Sequence, residues 1–156
     1  MDPYIEQLRQ WLELRLEVVA PGRYEFREFL AAGGLGAVYR YHDRSSLDID
    51  VAVKVIDPEK LSTVSADQQV MILRRFTNEA RVDAYLRKRG VHVHPVVYLH
   101  DAQASPAFMI TDLLHGPTFE QRMQVLRSPG QPLEVDKIVG ALAALAPSLA
   151  AIHKVG

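Results

Sequence analysis

The chain has 156 residues, of which 48% are apolar and 24% are charged, a balance typical of a soluble globular domain. A formal charge of -1 and a pI near 6.6 give no basis for a polyanion-binding surface, so nucleic acid is not expected as a partner. The lack of cysteine excludes disulfides and cysteine-ligated metal centres and fits a reducing cytoplasm, while charges along the N-terminus argue against a signal peptide or membrane span.

The first predicted element is an amphipathic helix over residues 2–19. Asp2 can cap this helix and Pro3 suits its first turn, while apolar residues recur at helical spacing. Pro21 and Gly22 end it. Two roles remain open for its apolar stripe, since it can pack on its own domain or dock on another protein.

The next segments alternate in polarity as strands do, with a glycine cluster and a polar segment between them. Three strands are predicted in an antiparallel meander, over residues 24–31, 37–41 and 49–56. A loop over residues 57–65 then leads to a second helix, over about 66–88, with Ser65 or Asp67 as its cap.

The remaining elements are two strands and a helical region. The strands are predicted near residues 96–102 and 107–113. Beyond them we expect a short helix near 119–126, a turn at 128–130 and a long apolar helix from about 135 to the end.

Gly33, Gly34 and Gly36 form the glycine cluster between the first two strands. Without Cβ atoms, their backbone N–H groups can surround an anion such as a phosphate. The alternative is an ordinary glycine-rich hairpin with no ligand. A helical phosphate loop is excluded because Ala37 and Val38 follow in place of a lysine and a hydroxyl residue.

Lys54 and Glu79 each lie in apolar surroundings and explain each other. Lys54 interrupts an apolar strand, and Glu79 shares a helix face with apolar residues, so a buried pair between them would satisfy both charges. A cation held in this way can bind the phosphates of a nucleotide. In the alternative, Glu79 pairs with Arg75 one turn back and Lys54 reaches solvent.

Three motifs follow one another in the chain: LAAGGLGAVY at 30–39, VAVKVI at 51–56 and RFTNEA at 75–80. Their order resembles that of the bacterial eukaryotic-like serine/threonine protein kinases. The resemblance implies an α+β fold, with a five-stranded antiparallel small lobe and its helix C followed by part of a helical large lobe. It also implies three regions: an N-terminal extension over 1–22, the small lobe and hinge over 23–114, and the start of the large lobe over 115–156.

The resemblance further implies a nucleotide site. The glycines would cover the phosphates, Val38 and Ala52 would clasp the adenine, Thr111 would be the gatekeeper and residues 112–114 the hinge. A buried strand end is the alternative reading of Thr111. The full implied set is Leu30, Gly33, Gly34, Gly36, Val38, Ala52, Lys54, Glu79, Thr111, Asp112 and Leu114. The sequence departs from the family at Ala31, which replaces the first glycine, and at Leu35, which replaces an aromatic residue.

ATP is therefore the expected ligand, and the family's catalytic residues would lie elsewhere. The catalytic-loop aspartate, its asparagine and the magnesium-binding aspartate are expected beyond Gly156, so the chain alone is expected to be inactive and its magnesium ligands to lie past residue 156. The rival interpretations are a pseudokinase-like interaction module and a fragment without independent function. The apolar helix over 135–154 is expected to pack on the missing part of the large lobe or on a protein partner. His92 and His94 lack a third ligand, so no metal site is expected there.

Overall fold

The computed structural model describes residues 2–45, 48–88, 97–101 and 104–116, together with isolated positions between 135 and 150. The helices and strands with described bounds are α1 (Pro3–Val19), β1 (Tyr24–Gly33), β2 (Gly36–Asp43), β3 (Ile49–Ile56), α2 (Pro58–Ser62), α3 (Ala66–Lys88), β4 (Val97–Asp101) and β5 (Phe108–Asp112). The predicted α+β class with a five-stranded antiparallel sheet is confirmed.

Helix α1 starts where its capping signals predict. The Asp2 carboxylate accepts a hydrogen bond from the Tyr4 N–H at 2.8 Å, and Pro3 occupies the first helical position. Leu8, Leu12 and Leu16, spaced four residues apart, are buried in a core cluster with strand residues. The apolar stripe of α1 therefore packs on its own domain.

The sheet has the strand order β1-β2-β3-β5-β4. The first three strands form the predicted meander, whereas β5 lies beside β3 and leaves β4 at the edge. An interior position suits β5, because Phe108, Met109 and Ile110 are apolar on both faces and all are fully buried.

The sheet lies between two layers of helix. On one face Val51, Val53 and Val55 of β3 pack in one cluster with the leucines of α1. On the other face Ile56 and Met109 pack with residues of α3. Alternation along β3 thus places its valines toward α1, and Ala52 and Lys54 on the side of α3.

The segment 57–65, predicted from the sequence as a loop, contains the short helix α2. Asp57 caps α2 by accepting hydrogen bonds from the N–H groups of Glu59 at 2.9 Å and Lys60 at 3.1 Å, and Pro58 follows at the first helical position. An Asp-Pro pair of this kind is a helix-start signal that the loop prediction overlooked.

Helix α3 begins at the predicted boundary. Ser65 and Gln68 bond reciprocally, because the Ser65 N–H donates to the Gln68 side chain at 3.1 Å and the Gln68 N–H donates to the Ser65 hydroxyl at 3.4 Å. Of the two caps proposed from the sequence, the structure thus supports Ser65.

The chain divides into two compact units, Met1–Tyr85 with His94–Leu113, and Leu86–Val93 with Leu114–Gly156. In the second unit the described positions between 135 and 150 are helical. The predictions for residues 119–126 and 128–130, and for His92 and His94, lie outside the described residues. None of the described helices is long and apolar enough to cross a membrane.

Candidate functional site

The centre of the candidate site is an ion pair between β3 and α3. Lys54 Nζ donates to both carboxylate oxygens of Glu79, each at 2.9 Å. The predicted partnership is therefore present, and Glu79 does not pair with Arg75, as the alternative required.

The expected burial of this pair is wrong. The Lys54 side chain is 46% exposed and that of Glu79 is 48% exposed. The apolar helix face around Glu79 is buried only on its N-terminal side, since Val82 is 53% exposed while Phe76 is buried. The pair consequently stands at an opening, where both groups keep contact with solvent.

That opening is a cavity of about 340 Å³ between the glycine loop and α3. Most of its lining is apolar or glycine, and its charged members are Lys54, Arg75 and Glu79. The complete lining is Gly33, Leu35, Gly36, Ala37, Val38, Lys54, Val55, Ile56, Ile72, Arg75, Phe76 and Glu79. Two cations against one carboxylate give the cavity a formal excess of one positive charge, which favours an anionic ligand.

The glycines of the loop serve two different purposes. A Cβ atom at Gly36 would lie 1.9 Å from the Val55 carbonyl oxygen, so Gly36 is required by the close approach of β2 and β3. Gly33 and Gly34 face open space, with no atom within 4 Å of the position that a Cβ would take. At these two positions the absence of a side chain leaves space beside the backbone for a ligand.

The residues expected around an adenine are aligned by the strand register. Val38 is paired with Lys54, and Ala52 is paired with Thr111. Since paired residues in an antiparallel sheet share a face, these four lie on the α3 side. Thr111 is 7% exposed and its hydroxyl donates to the Asp112 carbonyl at 3.3 Å.

The structure groups some predicted site residues and separates others. Those that line the cavity are Gly33, Gly36, Val38, Lys54 and Glu79. Leu30, Gly34, Ala52, Thr111 and Asp112 are not part of its lining. Leu30 is 39% exposed where the β1–β2 register is interrupted, and Leu114 is 61% exposed and belongs to the second unit.

Arg75 is the main site residue that sequence reasoning missed. The sequence suggests it only as an alternative partner for Glu79, whereas in the structure it lines the cavity and makes no ion pair with another described residue. Its spacing gave a signal, because a residue four positions before Glu79 lies on the same helix face.

Comparison with known proteins identifies the fold. No protein-family model matches the sequence, and no curated protein is significantly similar to it. Among solved structures, the chain is similar to the PknI kinase domain of Mycobacterium tuberculosis, with 24% identity and a TM-score of 0.60 over 86% of this chain and 49% of that one. The C20A mutant of that domain gives 21% identity and a TM-score of 0.58, over 85% of this chain and 49% of that one. The apo form of PpkA-294 gives 24% identity and a TM-score of 0.51, over 68% of this chain and 40% of that one.

These likenesses show a fold of the protein-kinase type. The chain spans half or less of the length of the solved structures it matches, 49% for the PknI kinase domain and 40% for PpkA-294. The α+β arrangement of a five-stranded sheet with α3 beside it corresponds to the part of the kinase fold that the sequence motifs predicted.

Proposed function

We propose that the chain binds ATP beneath the glycine loop and forms the nucleotide-binding part of a serine/threonine protein kinase. The observation that carries this proposal is the Lys54–Glu79 pair, which stands at the cavity formed by the glycine loop and α3. A paired lysine in this position is a phosphate-binding arrangement, because its carboxylate partner fixes the ammonium while leaving its third N–H donor free.

The charge around the cavity supports a phosphate ligand. Glu79 offsets the charge of Lys54, so the positive excess of the cavity comes from Arg75. A guanidinium can bind phosphate through two N–H groups at once. Together with the open backbone at Gly33 and Gly34, these groups fit the phosphate end of a nucleotide better than a neutral ligand.

The adenine end would extend along the same sheet face. In this proposal Leu30, Val38 and Ala52 contact the base, Thr111 is the gatekeeper, and the backbone from Asp112 to Leu114 forms the hinge. The register supports it, since Ala52 and Thr111 are paired one row beyond Val38 and Lys54.

Magnesium would accompany the nucleotide. Within the described residues, no group of three or more His, Asp or Glu side chains could hold a metal ion. The nucleotide phosphates would therefore supply most of its ligands in this part of the protein. Transfer of the γ-phosphoryl group to Ser or Thr hydroxyls is proposed for a complete kinase domain, about twice the span of this chain.

Thermal unfolding with Mg-ATP tests this function. Nucleotide at about 100 times its Kd should stabilise the chain by about 2.7 kcal/mol, a rise in Tm of several degrees. Lys54→Met should abolish the rise. The substitution should leave the ligand-free Tm nearly unchanged, since half-exposed ion pairs contribute only about 0–1 kcal/mol.

Two controls sharpen the experiment. Lys88→Met removes an exposed lysine from the end of α3 and should keep the full Mg-ATP shift. Adenosine lacks phosphates, so any stabilisation it gives should be the same in the parent chain and in Lys54→Met. Equal Mg-ATP shifts in those two proteins would contradict the proposed role of Lys54, and no shift in either would contradict nucleotide binding.

A further inference from the structure

The N-terminal helix is connected to the glycine loop through a single buried carboxylate. The Tyr4 hydroxyl donates to Asp57 Oδ1, and Asp57 is fully buried at the junction of β3 and α2. The same Oδ1 atom caps α2, which fixes the carboxylate relative to the first turn of that helix.

From Asp57 the connection continues to two carbonyl groups of the loop. The Asp57 N–H donates to the Leu35 carbonyl at 2.9 Å. Lys60 Nζ, which lies 3.9 Å from Asp57 Oδ2, donates to the Gly33 carbonyl at 3.3 Å. Each peptide group is planar, so holding these carbonyls also sets the direction of the N–H groups of Gly34 and Gly36.

The burial of Asp57 strengthens its hydrogen bond with Tyr4. Asp57 Oδ2 is buried and has no hydrogen-bond partner among the described residues, so Oδ1 makes all of the side chain's hydrogen bonds. Burial and the neighbouring Asp57 both raise the pKa of Tyr4 above its ordinary value, so the phenol remains a hydrogen-bond donor even in alkaline solution.

We propose that α1 is a positioning element for the nucleotide site, and that the Tyr4–Asp57 hydrogen bond holds the glycine loop in its phosphate-binding conformation. Tyr4 does not touch the nucleotide. It acts through Asp57 and Lys60 on the backbone of Gly33 and Leu35. This inference rests on the proposed nucleotide site for its consequence, but the connection to the loop is testable without a nucleotide.

Tyr4→Phe is the test, and Tyr39→Phe is its matched control. Tyr39 also anchors α1, by donating to the Ile5 carbonyl at 2.7 Å, but it lies on the opposite face of the sheet from Lys54. Both substitutions remove one phenol hydroxyl that holds the same helix. Only Tyr4→Phe removes a contact with Asp57.

The ligand-free measurement is amide hydrogen exchange at Asp57, whose N–H bonds to the loop. Tyr4→Phe should speed this exchange about three- to tenfold, the range expected for coupling through a packed network. Tyr39→Phe should leave it unchanged relative to global unfolding. Equal acceleration in both variants, or none in either, would overturn the connection.

The second measurement is the Kd for Mg-ATP, which Tyr4→Phe should raise about three- to tenfold. Asp57→Ser should have the same effect, because serine still caps α2 but is too short to reach Tyr4. The double variant Tyr4→Phe/Asp57→Ser should bind Mg-ATP as weakly as Asp57→Ser alone. Additive effects of the two substitutions would overturn the proposal that Tyr4 acts through Asp57. If the parent chain binds no nucleotide, the proposed function fails, while the exchange result still decides whether α1 holds the loop.

Discussion

At Gly36 the backbone of β2 lies so close to β3 that no side chain fits. A Cβ there would be 1.9 Å from the Val55 carbonyl oxygen and 3.0 Å from its carbon, both of them backbone atoms that cannot rotate away. Gly36→Ala should therefore push the strands apart and lower the free energy of unfolding by about 1–3 kcal/mol. Urea denaturation of the two proteins measures this loss.

Gly34→Ala is the control for this prediction. A Cβ at Gly34 would meet no atom within 4 Å, and the residue has no positive φ angle. The unfolding free energy of the Gly34→Ala variant should equal that of the parent chain or exceed it slightly, because alanine restricts the unfolded state more than glycine does. Equal destabilisation by both substitutions would show that the loop as a whole, and not the contact with Val55, requires glycine.

Lys54 and Glu79 differ from Gly36 in how much they contribute to stability. Their pair is half exposed, so it adds little to stability, and its bidentate geometry supports the nucleotide site proposed above. Gly36 is thus required by the packing of β2 on β3, whereas the Lys54–Glu79 pair joins β3 to α3 without adding much to stability.

At the scale of elements, α1 is an integral layer of the domain. Leu8 and Leu12 are fully buried and Leu16 is 3% exposed, all against one face of the sheet. Leu12→Ala should lower the free energy of unfolding by about 2–5 kcal/mol, the range for removing a buried leucine side chain. Leu14→Ala, at a position 69% exposed on the same helix, should change it by less than about 0.5 kcal/mol.

The two leucines differ only in the face of α1 that they occupy, so their helix propensities cancel in the comparison. Denaturant midpoints with unchanged m-values would report the difference. A small effect at Leu12 would mean that α1 is not required for the sheet to remain folded, and the helix would then be a detachable extension.

The sequence predicted most of these elements because their signals are local. Asp2 and Pro3 mark the start of α1, alternation marks the strands, and the predicted bounds of β3 coincide with Ile49–Ile56. The strand order β3-β5-β4 could not be read in the same way, since it depends on which apolar strand the two helical layers bury most completely. The short helix α2 was missed although Asp57 and Pro58 carried its start signal.

The site was predicted as far as its chemistry is local to a motif. The pairing of Lys54 with Glu79 could be predicted because each charge lies among apolar residues in the sequence. The solvent exposure of the two side chains could not be predicted, because it depends on the distance between the glycine loop and α3. The contributions of Arg75 and Tyr4 depend on packing between elements far apart in the chain. Arg75 opens the RFTNEA motif, but the motif gives no indication that its side chain lines the cavity, and Tyr4 belongs to none of the three motifs.

At the scale of the whole molecule, arginine–carboxylate pairs connect segments that lie far apart along the chain. Arg23 in the turn after α1 binds Asp43 at the end of β2 with distances of 2.8 and 2.7 Å. Arg44 binds Glu25 of β1, and Arg15 of α1 binds Asp101 of β4 at 2.9 Å. The pairs of Arg23 and Arg44 hold the start of edge strand β1 to the end of its neighbour β2, and the pair of Arg15 holds edge strand β4 to α1.

Acid titration tests this arrangement. The hydrogen bonds from Arg23 lower the pKa of Asp43 from 3.8 to about 2, and arginine partners also lower the pKa values of Glu25 and Asp50. A carboxyl whose pKa is lower in the folded state adds stability above its unfolded pKa and loses it as the pH falls toward the folded value. The Tm should therefore drop between about pH 4 and pH 2, beyond any decline seen at higher pH.

Asp43→Asn separates this pair from general acid unfolding. The variant should have a lower Tm than the parent chain at pH 7, because Arg23 loses its charged partner, and the two Tm values should converge as the pH approaches 2. Asp67→Asn, at an exposed position in the first turn of α3, should retain the parent's pH profile. A constant gap between Asp43→Asn and the parent from pH 7 to pH 2 would mean that Asp43 stabilises the fold through its shape and hydrogen bonds, with no contribution from its charge.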